Sequence, residues 1–250
     1  MKKIFAGIIL VAVAMSCSRQ QYMVTKIDAQ RYSVNQKLVS NSNEKINQLV
    51  ASYKELLDKE MNQVIGKASE DMTYGRPESL LTNLTSDVML KYANTVLNQH
   101  CDLSFMNVNG HRANLAKGDI TVGSIYEIYS FENTLAVVKL KGIDLLEAFD
   151  SYAKLGGAGV SSTVKLVVQD GKVKDVRVNG NPIDKDRVYT IITLDYLADG
   201  NDGLQALKKA IETEDTGITL RDIMLDYIKQ QTAEGKAIVS HLDNRITIEK

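Results

Sequence analysis

Two β-branched runs, Val164–Gln169 and Val173–Val178, are joined by Asp170-Gly171. An Asp-Gly pair between such runs is a strong hairpin signal, because its tight turn needs residues that accept positive φ. Asn179-Gly180-Asn181-Pro182 gives a further turn, and Val188–Leu194 reads as a third strand. Two helices are expected next, Leu204–Ile211 and Leu220–Gln231, the second capped by Thr219, and Arg245–Ile248 closes as a strand. Strands and helices follow one another without a regular βαβ repeat. The expected fold class is therefore α/β, with mixed sheets and helices on their outer faces.

The first half prepares the same kind of sheet. Ile46, Leu49, Val50, Tyr53, Leu56, Leu57, Met61 and Val64 recur at three- and four-residue steps, which predicts an amphipathic helix. Asn41 and Glu44 have capping-box spacing, and Lys45, Lys54 and Lys59 belong to its wet faces. The Ile46–Leu49–Tyr53–Leu56 stripe is expected to pack, on its own domain or on another protein. Pro77 and Glu78 are expected to open a second helix. Asp102–Met106 reads as a strand, Thr121 as the cap of a short helix through Tyr126, Thr134–Leu140 as a buried strand and Gly142–Ala153 as a helix.

The N-terminus has the pattern of an export signal. Lys2 and Lys3 precede an apolar run, Ile4–Ala14, too short to span a bilayer, and small residues precede Cys17. The segment resembles a bacterial lipoprotein signal, which implies lipidation of Cys17, an envelope location facing the periplasm and membrane attachment. An ordinary secretory signal is the alternative. The organisation expected is a signal at 1–16, a tether at 17–40 with a short strand Met23–Ile27, a lead-in helix at 41–66 and one domain at 67–250. Cys101 then has no partner and is expected to be a small packed residue. A net charge of −1 leaves no basic footprint for a nucleic acid polymer.

Three loops carry the chemistry. In Asn107-Val108-Asn109-Gly110-His111-Arg112, Gly110 allows close approach of a ligand, Arg112 offers a planar fork for phosphate oxygens, and the Asn107 amide can read a base edge. Phe131 and Tyr196 are aromatics at loop positions that could sandwich a base. Asp202 could accept from vicinal ribose hydroxyls, as acidic residues do in dinucleotide folds. Read singly, each has a plainer explanation: a common Asn-Gly turn, rings that plug the core, a solvated turn carboxylate.

Read together and in order, they resemble the C-terminal domain of the 5'-nucleotidase / UDP-sugar hydrolase / 2',3'-cyclic phosphodiesterase family. The stretches are Asn-Val-Asn-Gly-His-Arg (107–112), Ser-Phe-Glu-Asn-Thr (130–134) and Asp-Tyr-Leu-Ala-Asp-Gly-Asn-Asp-Gly (195–203), with Arg76–Asp87 upstream and Asp215–Asp222 downstream. The resemblance implies that Asn107 contacts the base, Arg112 the phosphate, Phe131 and Tyr196 the faces of the base, and Asp202 the ribose. Arg76 would add a second phosphate contact. Val108, Asn109, His111, Thr82 and Asn201 depart from the family pattern. At 108 and 109 the family has glycine, so a Cβ is expected to narrow the room for phosphate.

The family's metallophosphatase patterns, Asp-x-His, Gly-Asn-His-Asp/Glu and Gly-His-x-His, do not occur in this sequence. Its three histidines, His100, His111 and His241, are scattered. No catalytic residue, metal ligand or cofactor is therefore expected on this chain. The expectation is a nucleotide- or nucleoside-binding half of a split 5'-nucleotidase-like phosphohydrolase, with divalent metals on a separate metallophosphatase chain. A non-catalytic nucleoside-binding lipoprotein and a structural or assembly protein that kept the fold are the rivals.

Overall fold

The computed structural model describes Val24, residues 26–31 and residues 44–249. Cys17, the signal-like segment and Asn41 lie outside the described residues. Of the expected strand Met23–Ile27, Val24, Lys26 and Ile27 are described and belong to no strand. The chain divides into two compact units, residues 1–50 and 51–250. Helix α1 (Glu44–Met61) runs over that boundary and has no buried residue. Tyr53 and Leu56, expected on its packed stripe, are 68% and 71% exposed. Val64 is not in this helix. It begins strand β1 (Val64–Ala68), which pairs antiparallel with β3 (Gly118–Thr121), and the core begins at Ile65.

A five-stranded sheet runs in the order β10-β4-β9-β2-β5: Glu212–Thr219, Thr134–Lys141, Val188–Leu194, Leu103–Met106 and Gly159–Val160. β2 and β9 are parallel, whereas β4 is antiparallel to β9. The carboxyl ends of β2 and β9 and the amino end of β4 therefore meet at one edge. A second sheet runs β11-β6-β7-β8, from Ile246–Glu249, Val164–Gln169, Lys172–Val178 and Asn181–Pro182. Asp170 and Gly171 both have positive φ, at 52° and 69°, as the hairpin signal required.

Helix α2 (Leu80–Thr95) packs on β2 and β5. Its start differs from the sequence expectation. Ser79, not Pro77, is the cap, accepting from the Thr82 amide, while Glu78 takes the Asn83 side chain and the amides of Asp243 and Arg245. Helix α3 (Val122–Ile128) has Thr121 as cap, in a capping box with Ser124. Helix α4 (Gly142–Lys154) bridges the sheets and places Phe149 and Tyr152 edge-on to Phe105, at 5.2 and 5.0 Å between centroids. Its first residue must be glycine, since a Cβ at Gly142 would lie 1.9 Å from the Asp184 carbonyl oxygen.

After β9 come a short helix α5 (Asp195–Ala198) and a 3-10 turn, Gln205–Lys209. The expected helix Leu204–Ile211 does not form. The Ile211 amide donates to the Lys139 carbonyl instead, drawing the chain into the sheet as edge strand β10. Helix α6 (Leu220–Ala233) follows with Thr219 as its cap. Cys101 is buried, and burial, helped by Asp102, pushes its thiol up to about 12, as befits a packed residue.

Candidate functional site

The site stands where the three strand ends meet. β2 delivers Asn107 to the 3-10 turn Val108–Gly110, β9 delivers Tyr196 and the turn 199–203, and the approach to β4 delivers Phe131 and Asn133. These segments enclose a cavity of about 260 Å³ lined by Asn107, Asn109, Arg112, Phe131, Tyr196 and Asp202, among others. Five of the six residues assigned from sequence to the ligand thus converge. The sixth, Arg76, is not in the lining. Its Nε donates to the Gly157 carbonyl at 3.0 Å.

The polar groups are arranged before any ligand arrives. Asp202 accepts from Asn107 Nδ2 at 2.6 Å and from Tyr196 Oη at 3.2 Å. The negative carboxylate holds the Tyr196 phenol above its ordinary pKa. Asp202 has a φ of 50°, a left-handed conformation that costs a non-glycine residue something, and it lines the cavity. Asn107 Oδ1 is buried and has no hydrogen-bond partner among the described residues, while its Nδ2 is turned to Asp202. A Cβ at Gly110 would sit 2.5 Å from Asn107 Oδ1 and 2.7 Å from Met106 Cε, so both side-chain ends would have to shift to admit one. Arg112 is exposed, its guanidinium 5.7 Å from the centroid of the half-exposed Phe131 ring.

The departures from the family pattern sort by direction. Val108 and His111 are buried, so their side chains turn away from the cavity and do not narrow it, contrary to the expectation for Val108. Asn109 does line it. Thr82 bonds Ser79 at the start of α2, and Asn201 Nδ2 donates to the Tyr196 carbonyl at 2.8 Å, so both serve local turns.

Beneath the loops, His111 Nε2 is 2.8 Å from Thr85 Oγ1 and Nδ1 is 3.1 Å from the Val108 carbonyl. Because a carbonyl only accepts, Nδ1 carries the proton of the neutral ring. Burial pulls the His111 pKa down to about 4. With both nitrogens engaged inside the protein, His111 is a structural residue, not a metal ligand. Sequence reasoning missed the role of Arg221. This buried side chain donates to the carbonyls of Tyr129 and Phe131 and to Glu132, and stacks on Tyr126 at 4.3 Å, so it clamps the loop that presents Phe131. Its only trace in the sequence is its place in the Asp215–Asp222 motif.

Among the described residues, no group of three or more His, Cys, Asp or Glu could hold a metal ion. The donor set here does not fit a divalent metal pair. A larger cavity, about 400 Å³ between α2 and α6, has Lys91 and Asp226 as its only charged lining residues. None of the residues assigned from sequence to a ligand lines it, whereas five of them line the smaller cavity, which is therefore the candidate site.

Residues 64–209 match the family model described as "5'-nucleotidase, C-terminal domain". The chain belongs to that family. A 5'-nucleotidase precursor from Thermus thermophilus superimposes with a TM-score of 0.71 at 30% identity, over 81% of this chain and 42% of that one. The silent protein UshA(0) of Salmonella typhimurium is 24% identical over 179 residues, 67% of this chain and 32% of the relative. The cell wall protein Lmo0130 of Listeria monocytogenes is 28% identical over 212 residues, 74% of this chain and 27% of the relative. The matches thus span about a third or less of these curated relatives.

Proposed function

We propose that this domain binds a nucleoside or nucleotide and presents it to a metal-dependent phosphoric ester hydrolase centre outside these 250 residues, on a separate metallophosphatase chain. One observation carries the reading: two exposed rings, a guanidinium, an amide and a preset carboxylate line a single cavity. In this reading Phe131 and Tyr196 stack on the base, Asn107 meets its edge, Asp202 takes ribose hydroxyls and Arg112 takes phosphate. The family membership supports the ligand class, and the absence of metallophosphatase patterns from the sequence supports the division of labour.

Calorimetry with nucleosides and nucleoside monophosphates tests the reading. Phe131→Ala and Tyr196→Ala should each weaken binding by about 1–3 kcal/mol. Asp202→Ala should weaken ribonucleosides more than free bases. Equal binding by wild type and all three variants would reject the assigned roles. The protein alone, given divalent metal, should not hydrolyse nucleotides, and turnover surviving mutation of the site would overturn the division of labour.

We also propose that the protein is exported and held to a bacterial envelope membrane through lipidated Cys17, with residues 17–40 as tether, Glu44–Met61 as lead-in helix and the binding domain from Val64 onward. The signal-like N-terminus supports this, as does likeness to a protein named for the cell wall. Among the described residues, no helix is long and apolar enough to cross a membrane. Failure of labelled fatty acid to enter the wild-type protein, but not a control lipoprotein, would reject the anchor.

A further inference from the structure

Helix α1 carries a repeat that the rest of the fold does not use. Ile46, Leu49, Tyr53 and Leu56 fall at alternating steps of three and four residues, the a and d positions of two heptads, with Val50 and Leu57 beside them at e. Ile46, Val50, Tyr53, Leu56 and Leu57 are all more than half exposed, while Met61, at the helix end, packs against the core. An 18-residue helix is marginal in water on its own, and most helical stability comes from packing an apolar face. The charges around the stripe narrow what covers it. Glu55 at c and the Lys54–Asp58 ion pair at b and f lie on the side away from the seam. Four acids, Glu44, Glu55, Asp58 and Glu60, stand against Lys45, Lys54 and Lys59, so the helix lacks the basic polar face that suits an anionic lipid surface. Isoleucine at a with leucine at d favours a parallel pair of helices. In such a pair Lys45 at g meets Val50 of the second copy at e, and no like charges oppose. An antiparallel pair would bring Lys45 toward Lys59 instead.

We propose that a second copy of this chain covers the stripe, α1 pairing with α1 as a short parallel coiled coil. Glu60 takes the next a position, so the seam ends after Leu57. Two heptads make a weak seam, and the pairing therefore rests on the membrane-anchor reading. Two chains held at Cys17 reach Glu44 through tethers of equal length, residues 18–43, from the same surface. That raises their effective concentration and sets the helices parallel. Each assembly then carries two ligand cavities.

Cysteine cross-linking of the full chain in intact cells provides the test. Leu56→Cys, at d, should give a disulfide-linked homodimer on mild oxidation, because like d positions of a parallel pair lie within disulfide reach. Asp58→Cys, at f, should give about tenfold less, and the unsubstituted chain, whose Cys101 is buried, none. Adding Tyr53→Asp to Leu56→Cys should cut the cross-link about tenfold without lowering the melting temperature, since Tyr53 is an exposed residue. Equal yields at 56 and 58 would mean chance collision and would overturn the proposal. So would a Leu56→Cys thiol that reacts with maleimide yet forms no dimer, or one that links only to a different protein. With differently tagged copies, preferential linking of Leu49→Cys to Leu56→Cys would reveal an antiparallel pair and reject the parallel one. Fatty-acid labelling in the same cells separates this inference from the anchor: label without cross-link ends the dimer alone, cross-link without label ends the anchor alone, and the absence of both removes both.

Discussion

His111 illustrates how one side chain supports a loop from beneath. It ties the turn Val108–Gly110 to Thr85 on α2, and Thr85 in turn is 2.7 Å from the Tyr129 hydroxyl. Asn107 and Arg112 flank the turn so fixed. The ring is a base whose pKa is pushed from 6.5 to about 4 in the folded protein, so the unfolded chain binds the proton better between those values. Stability contributed by the neutral ring is present above pH 6.5 and is lost as pH falls toward 4. The loss amounts to on the order of 3 kcal/mol. Denaturant titrations at stepped pH should show this slope in wild type and a flatter one in His111→Gln. At this scale the sequence was legible where a residue faces the ligand: Asn107, Arg112, Phe131, Tyr196 and Asp202 share one cavity. It was not legible where a departure turns inward. Nothing in the letters Val108 or His111 says which side of the turn the side chain takes, because a 3-10 turn and a tight bend distribute neighbours differently.

Among the elements, those fixed by local signals were readable. The Asp170-Gly171 hairpin, β9 and the Thr219 cap of α6 each follow from turn chemistry, β-branching or a hydroxyl at a helix start. Strand β10 was not readable. Glu212, Glu214 and Asp215 make its run acidic and largely exposed, and only pairing with β4 makes it a strand. Such an edge is defined by its neighbour, and its charges also discourage pairing with other chains. Helix α6 has a second task, since Arg221 in its first turn clamps the Phe131 loop. Arg221→Met leaves the Tyr129 and Phe131 carbonyls without this donor. It should cost about 1–3 kcal/mol of stability and loosen ligand binding beyond that loss. Arg221→Lys keeps the charge but not the fork, so it should recover stability only in part. Thermal melts read beside calorimetry separate the two effects.

Across the whole binding domain, the end of the chain is latched to the start of α2. The Arg245 side chain is 4% exposed and pairs with Asp87 at 2.6 Å and Asp243 at 3.1 Å. Glu78 reinforces the latch from the other side through the amides of Asp243 and Arg245. Removing one partner of a buried ion pair leaves the other uncompensated, which costs about 3–5 kcal/mol, less where a partner is half-exposed as here. Arg245→Met should therefore lower the melting temperature sharply, whereas Arg245→Lys should fall between. This latch explains part of the Arg76–Asp87 motif without any ligand: Glu78, Asn83 and Asp87 hold protein, not substrate. The sequence resemblance identified the motif but could not divide it by task, because a residue that grips a ligand and one that grips a distant strand look alike in a linear pattern.

The cavity draws its walls from residues 107–112, 131–133 and 196–202, which lie far apart along the chain and meet only when β2, β4 and β9 have paired. No fragment ending before Asp202 contains the whole binding surface. Ligand affinity should therefore be acquired late, after the sheet has formed, and a bound nucleoside should be nearly invisible to the folding transition state. In stopped-flow denaturant jumps, saturating ligand should slow the unfolding arm and leave the refolding arm where it was. Faster refolding in the presence of ligand would mean that these three distant loops have already found one another while the rest of the chain is still searching.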